Sequence, residues 1–215
     1  MGATHGVLVP GRFITLEGGE GAGKSTQLKR LAEALRARGL TVLETREPGG
    51  SPGAEAIRTL LLGGDQERWT AEAEALLFAA ARADHVARTI RPALERGDWV
   101  LCDRFIDSSL AYQGLAGGLG EEAVRRLHAV GSRDLYPDRT LLLELPGDAA
   151  AGRARDRDAG EADRIGSKNA AYHDAVAAGF AALAASEPQR VRRIDASGTP
   201  EQVTSRLIAA IEDLL

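Results

Sequence analysis

Gly18 to Ser25 read Gly-Gly-Glu-Gly-Ala-Gly-Lys-Ser, followed by Thr26. The spacing Gly-x-x-x-x-Gly-Lys-Ser is that of a phosphate cradle. Gly18, Gly21 and Gly23 free the backbone to curl, so that successive amides, with Gly19 and Ala22 between them, aim at one anion. Lys24 adds a mobile positive charge and Ser25 a hydroxyl for Mg²⁺. Glu20 is the odd member, because an acid facing inward would repel a phosphate. It either faces solvent or turns toward a hydroxyl on a second ligand.

A second group of residues could hold that ligand. Asp103 ends an apolar run, "WVLCD", and an acid at a strand's carboxyl end beside a cradle can hold Mg²⁺ directly or through water. Arg104 follows, and its planar fork suits phosphate oxygens. A salt-bridged Asp-Arg pair would read the same way. Ser108, Ser109, Tyr112 and Gln113 cluster hydroxyls, an aromatic and an amide, which suits a sugar or base and also an ordinary polar loop. Phe78 and Arg82 are four apart and share a helix face. Arg46 and Glu47 stand where a strand meets the Gly-rich loop "EPGGSPG", with Arg58 just beyond. A proline beside a binding loop makes the Glu47–Pro48 bond a candidate for the cis form. Arg153, Arg155, Arg157 and Arg164 fall in a stretch dense in both charge signs, 148–166. That composition fits a solvated loop, and beside a cradle it also fits a lid that closes over transferring phosphates.

These residues need a frame. "RFITLE" (12–17), "TVLETR" (41–46), "WVLCD" (99–103), "RTLLLEL" (139–145) and "VRRIDA" (191–196) read as strands. Helices are expected over 24–38, 54–62, 70–94, 121–131, 170–185 and 199–215, the last capped by Thr199 with Pro200 at its first position. Residues 104–118 read as a polar loop. Strands alternating with helices imply parallel pairing with right-handed crossovers. The fold expected is a three-layer α/β domain of the P-loop type over 12–215, with about five mostly parallel strands, helices on both faces and a short lid. Residues 1–11 read as a loose leader, without the basic start and long apolar core of a secretory signal.

Bulk properties narrow the partners. The 215 residues suit one domain. A net charge of −4 argues against nucleic acid or an anionic membrane as a partner, so any anion site must be built locally. No apolar run approaches the roughly 20 residues that span a bilayer. The single cysteine, Cys102, rules out an internal disulfide and fits a reducing compartment, so a cytoplasmic location is expected.

From about residue 12 to 215 the chain resembles the bacterial thymidylate kinases. The stretches that carry the resemblance are "FITLEGGEGAGKSTQ", "TREPGG", "LLFAAARADH", "CDRFIDSSLAYQG", "LYPDRTLLLELP" and "RARDRDAGEADRI". The cradle is common to many families, whereas "TREPGG" with "DRFIDSSLAYQG" at this separation is far more specific. The resemblance implies transfer of the ATP γ-phosphoryl group to dTMP, with Mg²⁺ and a homodimer. It implies that Gly18 to Thr26 hold ATP, that Glu20 faces the deoxyribose 3′-hydroxyl and that Arg104 contacts the acceptor phosphate. Phe78 would stack on thymine and Arg82 would read the base or its phosphate. Glu47, Pro48, Arg58, Ser108, Ser109, Tyr112 and Gln113 would line the nucleotide pocket, with Tyr112 crowding a ribose 2′-hydroxyl. Gly21 in the cradle and an Arg-rich lid place the chain with those members whose lid supplies the arginines. Arg153, Arg155 and Arg157 are the candidates. Two positions depart from the family pattern: Gly166, where Glu is expected, and Phe105, where Tyr is common.

The same residues admit rival readings. A deoxynucleoside kinase pairs a similar cradle with a Glu-Pro step, and there Glu47 would be the base that a hydroxyl acceptor requires. Kinases of dUMP or purine monophosphates, and a non-catalytic nucleotide-binding regulator, share the cradle.

Overall fold

The computed structural model describes residues 11–145 and 163–215. The expected leader up to residue 10 and the lid arginines Arg153, Arg155 and Arg157 lie outside the described residues.

Five strands form one sheet: β1 (Phe13–Glu17), β2 (Val42–Arg46), β3 (Trp99–Asp103), β4 (Arg139–Glu144) and β5 (Val191–Asp195). Their order is β2-β3-β1-β4-β5, and every neighbouring pair is parallel. The central strand β1 is buried along its whole length. That is why "FITLE" reads as a continuous run rather than an alternation.

The two faces sort by parity. Ile14 and Leu16 point to one side, where Leu101, Leu141 and Leu143 join Leu28, Leu31 and Leu35 of α1 (Lys24–Ala37). Val203 and Leu207 of the last helix cover the same side. Phe13 points the other way, with Val100 and Cys102, toward Val86, Ile90, Phe105 and Leu110. That layer comprises α3 (Ala71–His85), α4 (Arg91–Glu95), α5 (Ile106–Ser109) and α6 (Glu121–Ser132). α2 (Pro52–Leu62) packs on α3, and α7 (Ala170–Ser186) closes over β4 and β5 with Val176 and Phe180. α8 (Pro200–Ala209) completes the first layer.

Three expectations needed correction. The segment expected as a polar loop, 104–118, is helical from Ile106 to Ser109 and continues in a wider π-helical turn from Leu110 to Ala116. Ile106 and Leu110 are four apart and fully buried, which pulls the segment into the core despite its polar content. The long helix 70–94 is two helices joined by another wide turn, Val86–Ile90. Pro92, with no amide to donate, lies just past that turn. The closing helix ends at Ala209 and finishes in a short 3₁₀ turn, Glu212–Leu214. Its N-cap is Thr199 as expected, and the Gln202 side chain returns to accept the Thr199 amide at 2.9 Å.

Candidate active site

The cradle lies at the carboxyl end of β1, between the strand and α1. Gly18 has φ 133° and Gly23, the N-cap of α1, has φ 86°. A Cβ at Gly18 would sit 2.4 Å from the Leu143 carbonyl oxygen, so that position tolerates only glycine. Lys24 Nζ folds back onto the carbonyls of Gly18 and Gly19 at 3.0 and 2.8 Å. Burial, and then the neighbouring Arg104, push the Lys24 ammonium down to about 8 against the pull of Asp103, Glu20 and Glu17. Ser25 Oγ donates to Asp103 Oδ2 at 2.8 Å. A hydroxyl and a carboxylate side by side at the cradle's mouth are the hard oxygen donors that Mg²⁺ takes, so these residues fit the ion that the cradle implies.

Hollows meet at this loop. The cradle encloses about 230 Å³. A larger cavity of about 370 Å³ opens beside it. Glu20, Ser25, Asp103 and Arg104 line both. Arg104 sits in the left-handed region at φ 69°, an uncommon conformation for a side chain this size. Its guanidinium donates to Glu20 Oε1 at 2.6 Å, to Gly18 O at 3.2 Å and to Ser108 Oγ at 3.2 Å. It also lies 5.2 Å from the centre of the Tyr112 ring. Burial alone would lower its pKa, but Tyr112, Glu20, Asp103 and Glu17 together raise it. The sequence puzzle of an acid in an anion cradle has a local answer: Glu20 turns to Arg104.

The larger of these two cavities gathers the remaining candidates. Glu47, Pro48, Arg58, Phe78, Arg82, Ser108, Ser109, Tyr112 and Gln113 all line it. The Glu47–Pro48 bond is cis. Arg82 is buried. Its Nε donates to Glu47 Oε2 at 2.7 Å, and its Nη2 donates to Phe105 O at 3.0 Å and Ser109 Oγ at 2.9 Å. The other Glu47 oxygen is 3.1 Å from His85 Nδ1. With both oxygens engaged, Glu47 is ill placed to serve as a free base. Arg58 Nη1 donates to the Pro48 carbonyl at 2.7 Å. Burial, and then nearby Arg46, lower the Arg58 pKa. The Tyr112 hydroxyl is buried with no hydrogen-bond partner among the described residues.

Several residues escaped the sequence reading. Arg164 was grouped with the lid arginines, yet it is buried and turned inward. It donates to Leu61 O at 2.8 Å, to Gln66 O at 3.2 Å and to Glu74. Glu74 also accepts from Gln113 Nε2 at 2.9 Å, which ties α3 to the cavity wall. Asp163 and Ile165 line the cavity too, and Asp163 Oδ1 accepts the amides of Ile165 and Gly166 at 3.0 and 2.8 Å. Beneath the site, Asp107 accepts from Thr140 and takes both Nη atoms of Arg190, each at 2.7 Å. Nothing in local spacing announces the partners of Arg164, Glu74 and Asp107, because each of those contacts joins segments far apart in the chain. Phe105, the departure from Tyr, packs fully buried edge-on to Phe13, with ring centres 4.8 Å apart.

A parallel five-stranded sheet, a Gly-rich loop leading into a helix, and a cavity sharing four lining residues with the hollow over that loop define a P-loop nucleotide-binding protein with room for a second ligand. The family model for thymidylate kinase matches residues 16–207. The thymidylate kinase of Rhizorhabdus wittichii is 65% identical over 207 residues, covering 96% of this chain and all of that protein. That of Gluconobacter oxydans is 53% identical over 210 residues, covering 95% and 96%. The crystal structure of thymidylate kinase from Ehrlichia chaffeensis superposes with a TM-score of 0.76 at 31% identity, covering 95% of this chain and 99% of that one. The chain belongs to the thymidylate kinase family.

Proposed function

We infer that the chain is a dTMP kinase, transferring the γ-phosphoryl group of ATP to the phosphate of dTMP to give dTDP and ADP. The observation that carries this reading is the family match across residues 16–207, on a chain whose cradle and acceptor cavity share Arg104 and Glu20. ATP occupies Gly18 to Thr26. Lys24 leaves the loop carbonyls for the outer phosphates, and Arg104 takes the acceptor phosphate. Ser25 and Asp103 would hold Mg²⁺, which would neutralise phosphate charge. Glu20 faces the 3′-hydroxyl, Phe78 stacks on the base, and Arg82, Ser109 and Gln113 border it. Tyr112 disfavours a 2′-hydroxyl. Glu47, Pro48, Arg58 and Ser108 complete the wall, and one or more of Arg153, Arg155 and Arg157 complete the charge over the phosphates.

The acceptor is a phosphate monoester whose second pKa is near 6, so at pH 7 its oxygen is already mostly deprotonated. No general base is required. The protein's task is to hold two polyanions in line and offset their repulsion. We also assign the enzyme to the cytoplasm and to a homodimer. The buried free thiol of Cys102 supports a reducing compartment. No helix among the described residues is long and apolar enough to cross a membrane.

The test is ADP release from Mg-ATP with dTMP, thymidine, dUMP, dGMP or no acceptor. A rate that needs dTMP and exceeds the others is expected. A rate with thymidine in its place would move the reaction to a hydroxyl acceptor. Acceptor-independent or absent turnover would leave a nucleotide-binding protein.

A further inference from the structure

Glu17 has no part in the chemistry just described. It is the last residue of β1, one position before the cradle, and it is fully buried. An acid in that position is costly unless something uses it. Both of its oxygens are committed to the opposite side of the site. Oε1 accepts the Phe105 amide at 2.8 Å, and Oε2 accepts Ser108 Oγ at 2.6 Å. Ser108 Oγ in turn accepts from Arg104 Nη1.

These contacts bracket Arg104. Its own amide donates to Leu16 O at 3.0 Å, and the next amide along donates to Glu17. The residue between them is held at a positive φ that a bulky side chain rarely adopts unless its surroundings impose it. Its guanidinium is then steered from the side by Ser108, whose hydroxyl proton is spent on Glu17, leaving the oxygen lone pairs free for Arg104. Both roles need an acceptor-only group at Glu17. A neutral amide would have to present its NH₂ to one of two donors. Burial, and then Asp107, push the Glu17 carboxyl up to about 7, opposed by Arg104, Ser108 and the Phe105 amide, so the acceptor-only carboxylate is the prevailing form above that pH.

We propose that Glu17 is a positioning residue for phosphoryl transfer, holding Arg104 in its left-handed conformation and aiming its guanidinium at the acceptor phosphate through Phe105 and Ser108. This rests on the reading of Arg104 as the acceptor-phosphate ligand. Glu17→Gln keeps size and shape while removing one acceptor. Loss of a buried bond to a charged group corresponds to about tenfold. So the dTMP KM and the calorimetric dTMP Kd should rise about tenfold, with the ATP KM unchanged within about twofold.

A cycle with Arg104→Ala separates positioning from general damage. In the Arg104→Ala background, Glu17→Gln should change the dTMP Kd less than about twofold. An equal loss in both backgrounds, a matching rise in the ATP KM, or no loss at all would overturn the proposal. If Glu17→Gln does not fold, Ser108→Ala cuts one arm of the same path. It should cost about threefold in dTMP affinity, an effect that vanishes with Arg104→Ala; persistence of that loss would overturn the proposal. A wild-type chain that binds dTMP while Arg104→Ala binds it equally well would instead sink the reading of Arg104, and this inference with it.

Discussion

At the residue scale, the site is a balance of buried charge. Lys24 and Arg104 face the same small volume, with Glu20, Glu17 and Asp103 around them. Removing either cation leaves carboxylates where phosphates must enter. Arg104→Ala and Lys24→Ala should each abolish useful turnover while circular dichroism shows the fold intact; an arginine acting on such a transition state is worth roughly 10³–10⁵ in rate. Wild-type-like kcat in either variant would refute its assignment. Lys24 also predicts a pH dependence. Its ammonium is pushed down to about 8, chiefly by burial, so free enzyme above that pH carries progressively less of the charge that ATP needs. With dTMP saturating, kcat/KM for ATP should fall on the alkaline side of about pH 8, and a flat profile to pH 9.5 would contradict this. The sign for stability is the reverse. Between about 8 and 10.5 the unfolded chain holds a proton that the folded chain has released, so this group's contribution to stability rises with pH across that window.

At the element scale, legibility in the sequence followed burial geometry. Strands buried on both faces, such as "FITLE" and "WVLCD", show as short apolar runs, and the cradle between β1 and α1 shows by its glycines. α5 and the wide turn after it did not show, because their inward residues Ile106 and Leu110 alternate with the hydroxyls and amide that face the cavity. Arg164 misled for a related reason. A charge-rich stretch averages to a solvated loop, yet this one arginine finds Glu74 across the fold. The pair is almost fully enclosed, and losing Arg164 leaves the buried Glu74 carboxylate with Lys168 Nζ, 3.8 Å away, as its remaining cation among the described residues. Arg164→Ala should therefore lower unfolding free energy by about 3–5 kcal/mol in urea titrations. Replacing both partners with leucine should cost clearly less than the two single changes added together. Simple additivity would show that the contact contributes little beyond packing.

At the scale of the whole molecule, the candidate site is assembled from the carboxyl ends of β1, β2 and β3 together with α2, α3 and α5, so ligands bridge elements that the chain connects only at a distance. Occupying it should stabilise the entire fold by mass action. At a hundredfold excess over its Kd, a ligand adds about 2.7 kcal/mol. For a domain of this size each kcal/mol moves the melting midpoint by about 2–4 °C, so dTMP should raise Tm by about 5–10 °C. Thymidine offers the same base and sugar but gives Arg104 nothing to hold. At equal concentration its shift should be smaller, and the difference should shrink in Arg104→Ala. Were thymidine to stabilise wild type as strongly as dTMP, the acceptor phosphate would not be what the cavity recognises, and Arg104, Glu20 and the shared mouth of the two hollows would need another purpose.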